Sequence, residues 1–271
     1  MTQKVSTSEL ELHISPRQDA ALPGTTFARA IESLELAQRE HIIFNEILRG
    51  NVPSFLRQLV AIETQVMLHD TSYHLTFFVM PDYLSIGSDA DYFLIPMTPI
   101  LAQKVMDQVG GTLPTRKMVD LIWAASQVKM IPVPIPPSPA MVSVEVFREH
   151  YSLVQAARVE FMEDKPLGSL VSGHKKDVVL SNQIAVKPNK VFIYGWHYPN
   201  GEPIQPLYGG HINWYADYSH GIRVVLRQCL LNDAVMDISE ILEDPTLFQL
   251  ISDEANAMEI TRYDTSQSNY P

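Results

Sequence analysis

The chain has a single cysteine, Cys229, in 271 residues. No intrachain disulfide can form. That fits the cytoplasm as the chain stands, and equally an exported protein that needs no disulfide and whose signal has been removed. Basic residues are also scarce, with 20 Lys and Arg against 31 Asp and Glu and a net charge of −11. A surface of that sign excludes nonspecific nucleic-acid binding through basic patches. No apolar run approaches the length of a membrane span. Met1 to Pro16 is polar, without the apolar core of a secretory signal. Two catalytic signatures are missing as well, the His-Glu-x-x-His zinc helix and the Gly-x-Ser-x-Gly nucleophile turn.

What the chain does have is unevenly placed. Four of its nine histidines fall between residues 174 and 220, in three polar-aromatic strings. These are Gly173-His174-Lys175-Lys176-Asp177, Tyr194-Gly195-Trp196-His197, and His211 to Arg223. Imidazole is the side chain most easily tuned to act as acid, base or metal ligand near neutral pH. The last forty residues carry nine acids against one Arg262, whereas residues 174–190 hold four lysines. A local basic site can therefore exist inside an acidic protein.

The hydrophobic fraction is 46% and the charged fraction 19%, ordinary for a globular domain. Residues 1–23 read as a polar arm. Thr25 or Thr26 caps a broken helical segment that runs to about Arg49 and stops at Gly50. Residues 55–67 turn extended, and Asp70-Thr71-Ser72 turns into a strand from Tyr73 to Val79. Gly87-Ser88-Asp89 precedes a strand at 92–95, and the acids of that loop lack the calcium-loop pattern. Thr98 caps a helix ending at Gly110-Gly111, and Thr115 caps the next. Five prolines between 132 and 139 form an extended connector and the one candidate sub-boundary. A helix from about Val144 to Phe161 follows. Strands are expected at 178–180, 191–194 and 222–231, then a helix opened by Asp237, with a short restart at Asp244-Pro245. The order is helix-rich first and strand-rich second, without regular βαβ alternation. It predicts a single α+β domain over 24–271, helices packed on a mostly antiparallel sheet.

The strings at 173–179, 194–197, 203–207 and 217–223, with Pro81-Asp82-Tyr83-Leu84 and Leu113 to Asp120, resemble a bacterial family whose activity is not established. The resemblance covers roughly Asn51 onward and implies no reaction.

Asp217-Tyr218-Ser219-His220 has the acid-x-x-His spacing of D,D-peptidases, where the acid acts as base and the His binds zinc. An upstream His174 with Asp177, or His211, would complete such a set, giving His174, His211 and His220 as metal ligands. Lys175 and Lys176 beside it oppose a dication. Asp217 and His220 satisfying each other, or capping a turn, is the simpler reading. Ser219-His220-Gly221-Ile222-Arg223 also resembles the L,D-transpeptidase signature, with His197 as upstream His, but lacks its nucleophilic cysteine. Cys229, six residues on from Arg223, reads as a buried core thiol. Ser219 as a nucleophile would need His174, His197 or His211, since adjacent His220 points to the other face of a strand.

Arg116 and Lys117 open a helix, where cations cost stability unless an anion is bound; pairing with acids such as Asp120 is the competing account. Trp196, Tyr198, Trp214, Tyr215 and Tyr218 suit either a ligand cleft or a half-buried sheet. Gly195 inside a strand pattern marks a bulge or a close approach and adds weight to His197. His13, His41, His69, His74 and His150 read as structural or solvent-facing.

The leading expectation is a hydrolase for an anionic or peptide-like substrate, metal-assisted or not. Its catalytic residues would be His174, Asp177, His197, Asp217 and His220. Arg116, Lys117, Lys175, Lys176, Trp196, His211, Tyr218, Ser219 and Arg223 would bind substrate. The rival is a non-catalytic module that binds an anionic or sugar-like ligand in a basic, aromatic cleft. The cofactor is open, zinc being the divalent ion considered, and so is the oligomeric state.

Overall fold

The computed structural model describes residues 10–161 and 164–266; the first nine residues of the polar arm lie outside them. The rest of the arm is docked. The amide of His13 donates to the Val109 carbonyl, and the Arg17 guanidinium donates to Asn51 Oδ1, Gly87 O and Ala21 O.

Two helices open the chain, α1 (Gly24–Ala30) and α2 (Leu36–Leu48). The expected break is present, but the first cap is Pro23, not Thr25 or Thr26. Thr25 sits inside the first turn and donates to Asp91, one of the loop acids. Gly50, at φ +78°, ends α2 in the left-handed region that glycine tolerates. Strands β1 (Val60–Leu68) and β2 (Thr71–Val79) then form one long hairpin. Its turn residues, His69 and Asp70, both have positive φ, the pair that matches the twist of two-residue hairpins. On β2, Leu75, Phe77 and Val79 point inward and are fully buried, each worth about 1.5–3 kcal/mol.

Next come β3 (Ser85–Gly87), β4 (Tyr92–Leu94), α3 (Pro99–Val109), β5 (Gly111–Thr112), α4 (Arg116–Ala125) and β6 (Val128–Lys129). Thr98 and Thr115 cap α3 and α4 through their hydroxyls, as expected. The buried carboxylate of Glu40 on α2 accepts from the Thr98 amide and hydroxyl, tying two helices together. The proline stretch runs extended into α5 (Val144–Phe161). Short elements follow: β7 (Val171–Ser172), β8 (Lys176–Val178), α6 (Gln183–Val186), β9 (Ile193–His197) and β10 (Pro203–Tyr208). The chain then forms β11 (His220–Gly221), β12 (Val225–Leu226), β13 (Gln228–Leu231), β14 (Ala234–Asp237) and α7 (Ile238–Glu243).

The fold is α+β. One sheet runs β14-β13-β2-β12-β5, with β1 on the far side of β2. A second runs β10-β9-β8-β11. Pairing is mostly antiparallel; β8–β11 and β6–β7 are parallel. The expected division into a helical half and a stranded half is not what forms. The two longest strands lie within residues 60–79, while the C-terminal strands are two to six residues long. Strand β14 escaped the sequence reading, although Asn232-Asp233, both at positive φ, makes the same kind of turn as His69-Asp70. One apolar cluster reaches from Phe27 to Tyr263 and includes residues of both sheets.

Candidate functional site

The polar strings meet on and around the second sheet. In β8 and β11, His220 lies opposite Lys176 and Gly221 opposite Asp177. Neighbours along a strand face opposite ways, so the two rungs serve different sides.

On the Gly221–Asp177 side is a buried ion network. Asp82 Oδ2 accepts from Arg158 Nη2 at 2.6 Å, and Asp82 Oδ1 from the Tyr83 amide at 2.7 Å. His174 Nε2 lies 3.1 Å from the same Oδ1, an ion-pair distance poorly aligned for a hydrogen bond. Tyr83 donates its hydroxyl to Asp177 Oδ2 at 2.8 Å. Arg223 donates to the Met80 and Val171 carbonyls, with its guanidinium 4.1 Å from the centre of the Tyr83 ring. A Cβ on Gly221 would come within 2.6 Å of that ring, so glycine is what admits it. Burial alone would raise Asp82, but Arg158 and His174 hold it well below the usual carboxylate range. Burial pulls His174 down to about 4 against the pull of Asp82. It pushes Asp177 up to about 6 despite Arg223.

On the other side stand Lys176 and His220. The His220 ring is 1% exposed, and neither of its nitrogens has a hydrogen-bond partner. Burial lowers it to about 4, with Asp217 opposing. Asp217 is fully committed elsewhere: Oδ1 accepts from the Ser219 amide and hydroxyl at 2.8 and 2.6 Å, and Oδ2 from Tyr215 at 3.1 Å. Tyr215 lies edge-on to His220 and stacks on His211 at 4.0 Å. The Lys176 ammonium sits 5.0 Å from the centre of the Trp196 ring. Trp196 is buried with its indole N–H unpartnered. Its backbone has φ +58°, next to Gly195 at +101°. This is the irregularity that the glycine predicted, and a bulky residue there marks local strain. Behind these rings, Lys175 Nζ is buried, 3.1 Å from His150 Nδ1 and bonded to the Tyr218 carbonyl. Burial brings Lys175 down to about 7 and His150, with Lys175 adding to the effect, to about 2.

A third group is nearer the surface. Asp120 Oδ1 accepts from His197 Nε2 and from Tyr194, both at 2.9 Å. Trp123 stacks on His197.

No protein-family model, curated protein or solved structure matches this chain. The geometry alone therefore carries the reading.

His174, His197 and His220 do not converge. The first faces Asp82, the second Asp120, and the third has no bonded partner. Nor do His174, His211 and His220 gather as ligands. Among the described residues, no three His, Cys, Asp or Glu side chains are grouped to hold a metal ion. Asp217 and His220 do not satisfy each other; Asp217 instead caps a turn, accepting from the Ser219 amide and hydroxyl and from Tyr215. Ser219 is held by Asp217 and lies against no imidazole base. Arg223 is an interior strut. Arg116 pairs with Asp253 at 2.7 Å and Lys117 with the Gln249 carbonyl, so the C-terminal segment answers the cations at the start of α4. Cys229 is the expected core thiol, bonded to the Met236 carbonyl and pushed up to about 12 by burial.

Sequence reasoning missed His150, which packs against Lys175, Tyr218 and Trp196. It also gave no role to Asp82. The signal for Asp82 was its place in the Pro81–Leu84 string; a histidine alone on a long helix gave none. Surface clefts are found away from these groups. One of about 640 Å³ is lined by Arg17, Ser54, Arg57 and Asp89, where Asp89 caps the turn at 54–57. Among the described residues no helix is long and apolar enough to cross a membrane.

Proposed function

We propose that this chain is a hydrolase whose acid–base group is His220, acting on a small anionic or peptide-like substrate. One observation carries this: a buried imidazole with both nitrogens unpartnered and no carboxylate in contact, unlike His174, whose nitrogens also lack hydrogen bonds but whose Nε2 lies 3.1 Å from Asp82. Buried polar atoms are almost always satisfied, and leaving one unpaired costs about 1–3 kcal/mol. An exception of this kind fits a group kept free for substrate or water.

The chemistry follows from the neighbours. At neutral pH His220 is uncharged and can accept a proton from water as the oxygen attacks an acyl or phosphoryl centre. The imidazolium, stabilised by the Asp217 charge, returns that proton to the leaving group. Ser219 does not serve as nucleophile, because its hydroxyl is spent on Asp217. Water is the attacking species.

The test is a panel of chromogenic esters, phosphoesters and peptide amides. His220→Gln lowers turnover by about 100-fold or more, and activity falls as pH drops toward 4. Turnover retained in His220→Gln, or none by the wild type across the panel, sinks the proposal. The second reading, a ligand-binding module, draws on the same free imidazole and on the lack of a protein nucleophile in reach. It predicts binding without turnover.

A further inference from the structure

We propose that the face carrying His220 is an anion subsite, in which Lys176 and the Trp196 indole N–H hold a carboxylate or phosphate group of the ligand. The inference rests on the location assigned above but not on hydrolysis.

Three observations lead to it. First, Lys176 is a half-buried cation with no carboxylate in contact; the Asp217 charge acts on it only from a distance. Among the described residues no carboxylate oxygen lies within 4 Å of it. The other lysines of this segment are occupied: Lys175 by His150 and the Tyr218 carbonyl, Lys187 by Gln183, and Lys190 by the Gly210 carbonyl. In a chain of net charge −11, an unpaired cation at the centre of an aromatic cluster is an oddity to be explained. The Trp196 face attracts the ammonium but cannot neutralise it.

Second, the indole N–H of Trp196 is a donor with nothing to donate to, in a residue that is 4% exposed. The chain accepts a left-handed backbone at this residue, and the indole ends beneath Lys176. Third, His220 lies directly across from Lys176 on the paired strand, and adjacent strands are about 4.8 Å apart. Its free nitrogens and the indole N–H are unpartnered groups on the two strands that flank Lys176. Asp217, the nearby acid, has both oxygens engaged and does not fill the role. A carboxylate or phosphate oxygen has the charge for the ammonium and the lone pairs for the indole.

The experiment follows the three indole N–H signals of the full chain by NMR. Inorganic phosphate and acetate are titrated separately, against chloride at matched ionic strength. Trp123→Phe and Trp214→Phe assign the remaining signal to Trp196. The expected result is a saturable shift of the Trp196 signal with one or both anions, and which anion shifts it names the class. Lys176→Met weakens that affinity at least tenfold, while Lys190→Met leaves it unchanged. No saturable shift in the wild type, or equal affinity in Lys176→Met, overturns the inference. Failure of the hydrolase reading is separable: saturable anion binding with no turnover across the substrate panel leaves this subsite standing. Turnover lost in His220→Gln with unchanged anion affinity in Lys176→Met removes the subsite alone.

Discussion

The two sides of the small sheet carry almost the same residue types and treat them differently. Around Asp82 there are two guanidiniums, an imidazole, a phenol and a second carboxylate, joined by ion pairs and hydrogen bonds although both His174 nitrogens and Arg223 Nε lack a hydrogen-bond partner. Around His220 there are an imidazole and an indole whose nitrogens find no partner, and an ammonium over the indole ring with no carboxylate in contact. The two sets are separated by one residue along each strand, Asp177 against Lys176 and Gly221 against His220. Burial and charge density therefore do not distinguish the two clusters. What distinguishes them is ion pairing. On one side the charges are locked to one another, and on the other Lys176 and His220 have no carboxylate in contact; the proposed ligand site rests on that difference.

Breaking the closed side gives the largest effect. Asp82→Asn removes the carboxylate of the buried Arg158–Asp82 pair. A broken buried pair of this kind costs about 3–5 kcal/mol, to be read by urea unfolding. His220→Gln, on the open side, breaks no hydrogen bond and costs about 1 kcal/mol, the ordinary value for a point substitution. Comparable losses in the two variants would end the comparison. Acid sharpens it next. His174 and His220 both sit near 4 in the fold, below the roughly 6.5 of an unfolded histidine. The unfolded chain therefore binds more protons, and stability present above pH 6.5 is lost as pH falls toward 4. From pH 7 to 5 the loss is about 2 kcal/mol per histidine. Asp177, raised to about 6, works in the opposite sense: its contribution is present below about pH 4 and is lost as pH rises through 6. His174→Asn and His220→Asn should each flatten the acid limb. A limb unchanged in both variants would show that neither imidazole is held neutral in the fold.

How much of this was legible in the sequence follows from which signals are local. Thr98 and Thr115 cap their helices because capping is decided within four residues, and Gly195 marked the left-handed backbone at 195–196 because positive φ is a local demand. The α+β class was readable from the order of periodic segments. The segments 55–67 and 73–79 read as extended, but the division into halves did not follow, because their pairing into the longest hairpin of the chain is a partner choice that periodicity does not name. For the site, the strings picked out Lys176, Trp196, Asp217 and His220. They did not show that Ser219 rather than His220 takes Asp217, since that is settled by the turn the chain makes at 217–220. Asp82 and His150 lie 92 and 24 residues from His174 along the chain, and only the fold brings them near it. Arg116 and Lys117 read as an anion site because their acid, Asp253, comes from the far end of the chain.

Smaller changes test how each side is built. Gly195→Ala places a side chain at φ +101°, against Val119 and the His197 ring at 3.3–3.4 Å. It should cost about 1–3 kcal/mol in backbone strain and shift the Trp196 indole signal. A cost near zero would mean that the left-handed backbone at Gly195 is not what positions that ring.

The smallest effect is expected at Arg116. Its pair with Asp253 is about one-third exposed on both sides, and bridges of that kind contribute about 0–1 kcal/mol. Arg116→Ala should therefore lower stability by less than about 1 kcal/mol and leave phosphate or acetate affinity at Trp196 unchanged. A large loss of anion affinity would restore the start of α4 as the anion site. The open side of the sheet would then have to be explained by something other than a bound anion, because one negative group cannot at once answer Arg116, already held by Asp253, and the unpaired Lys176.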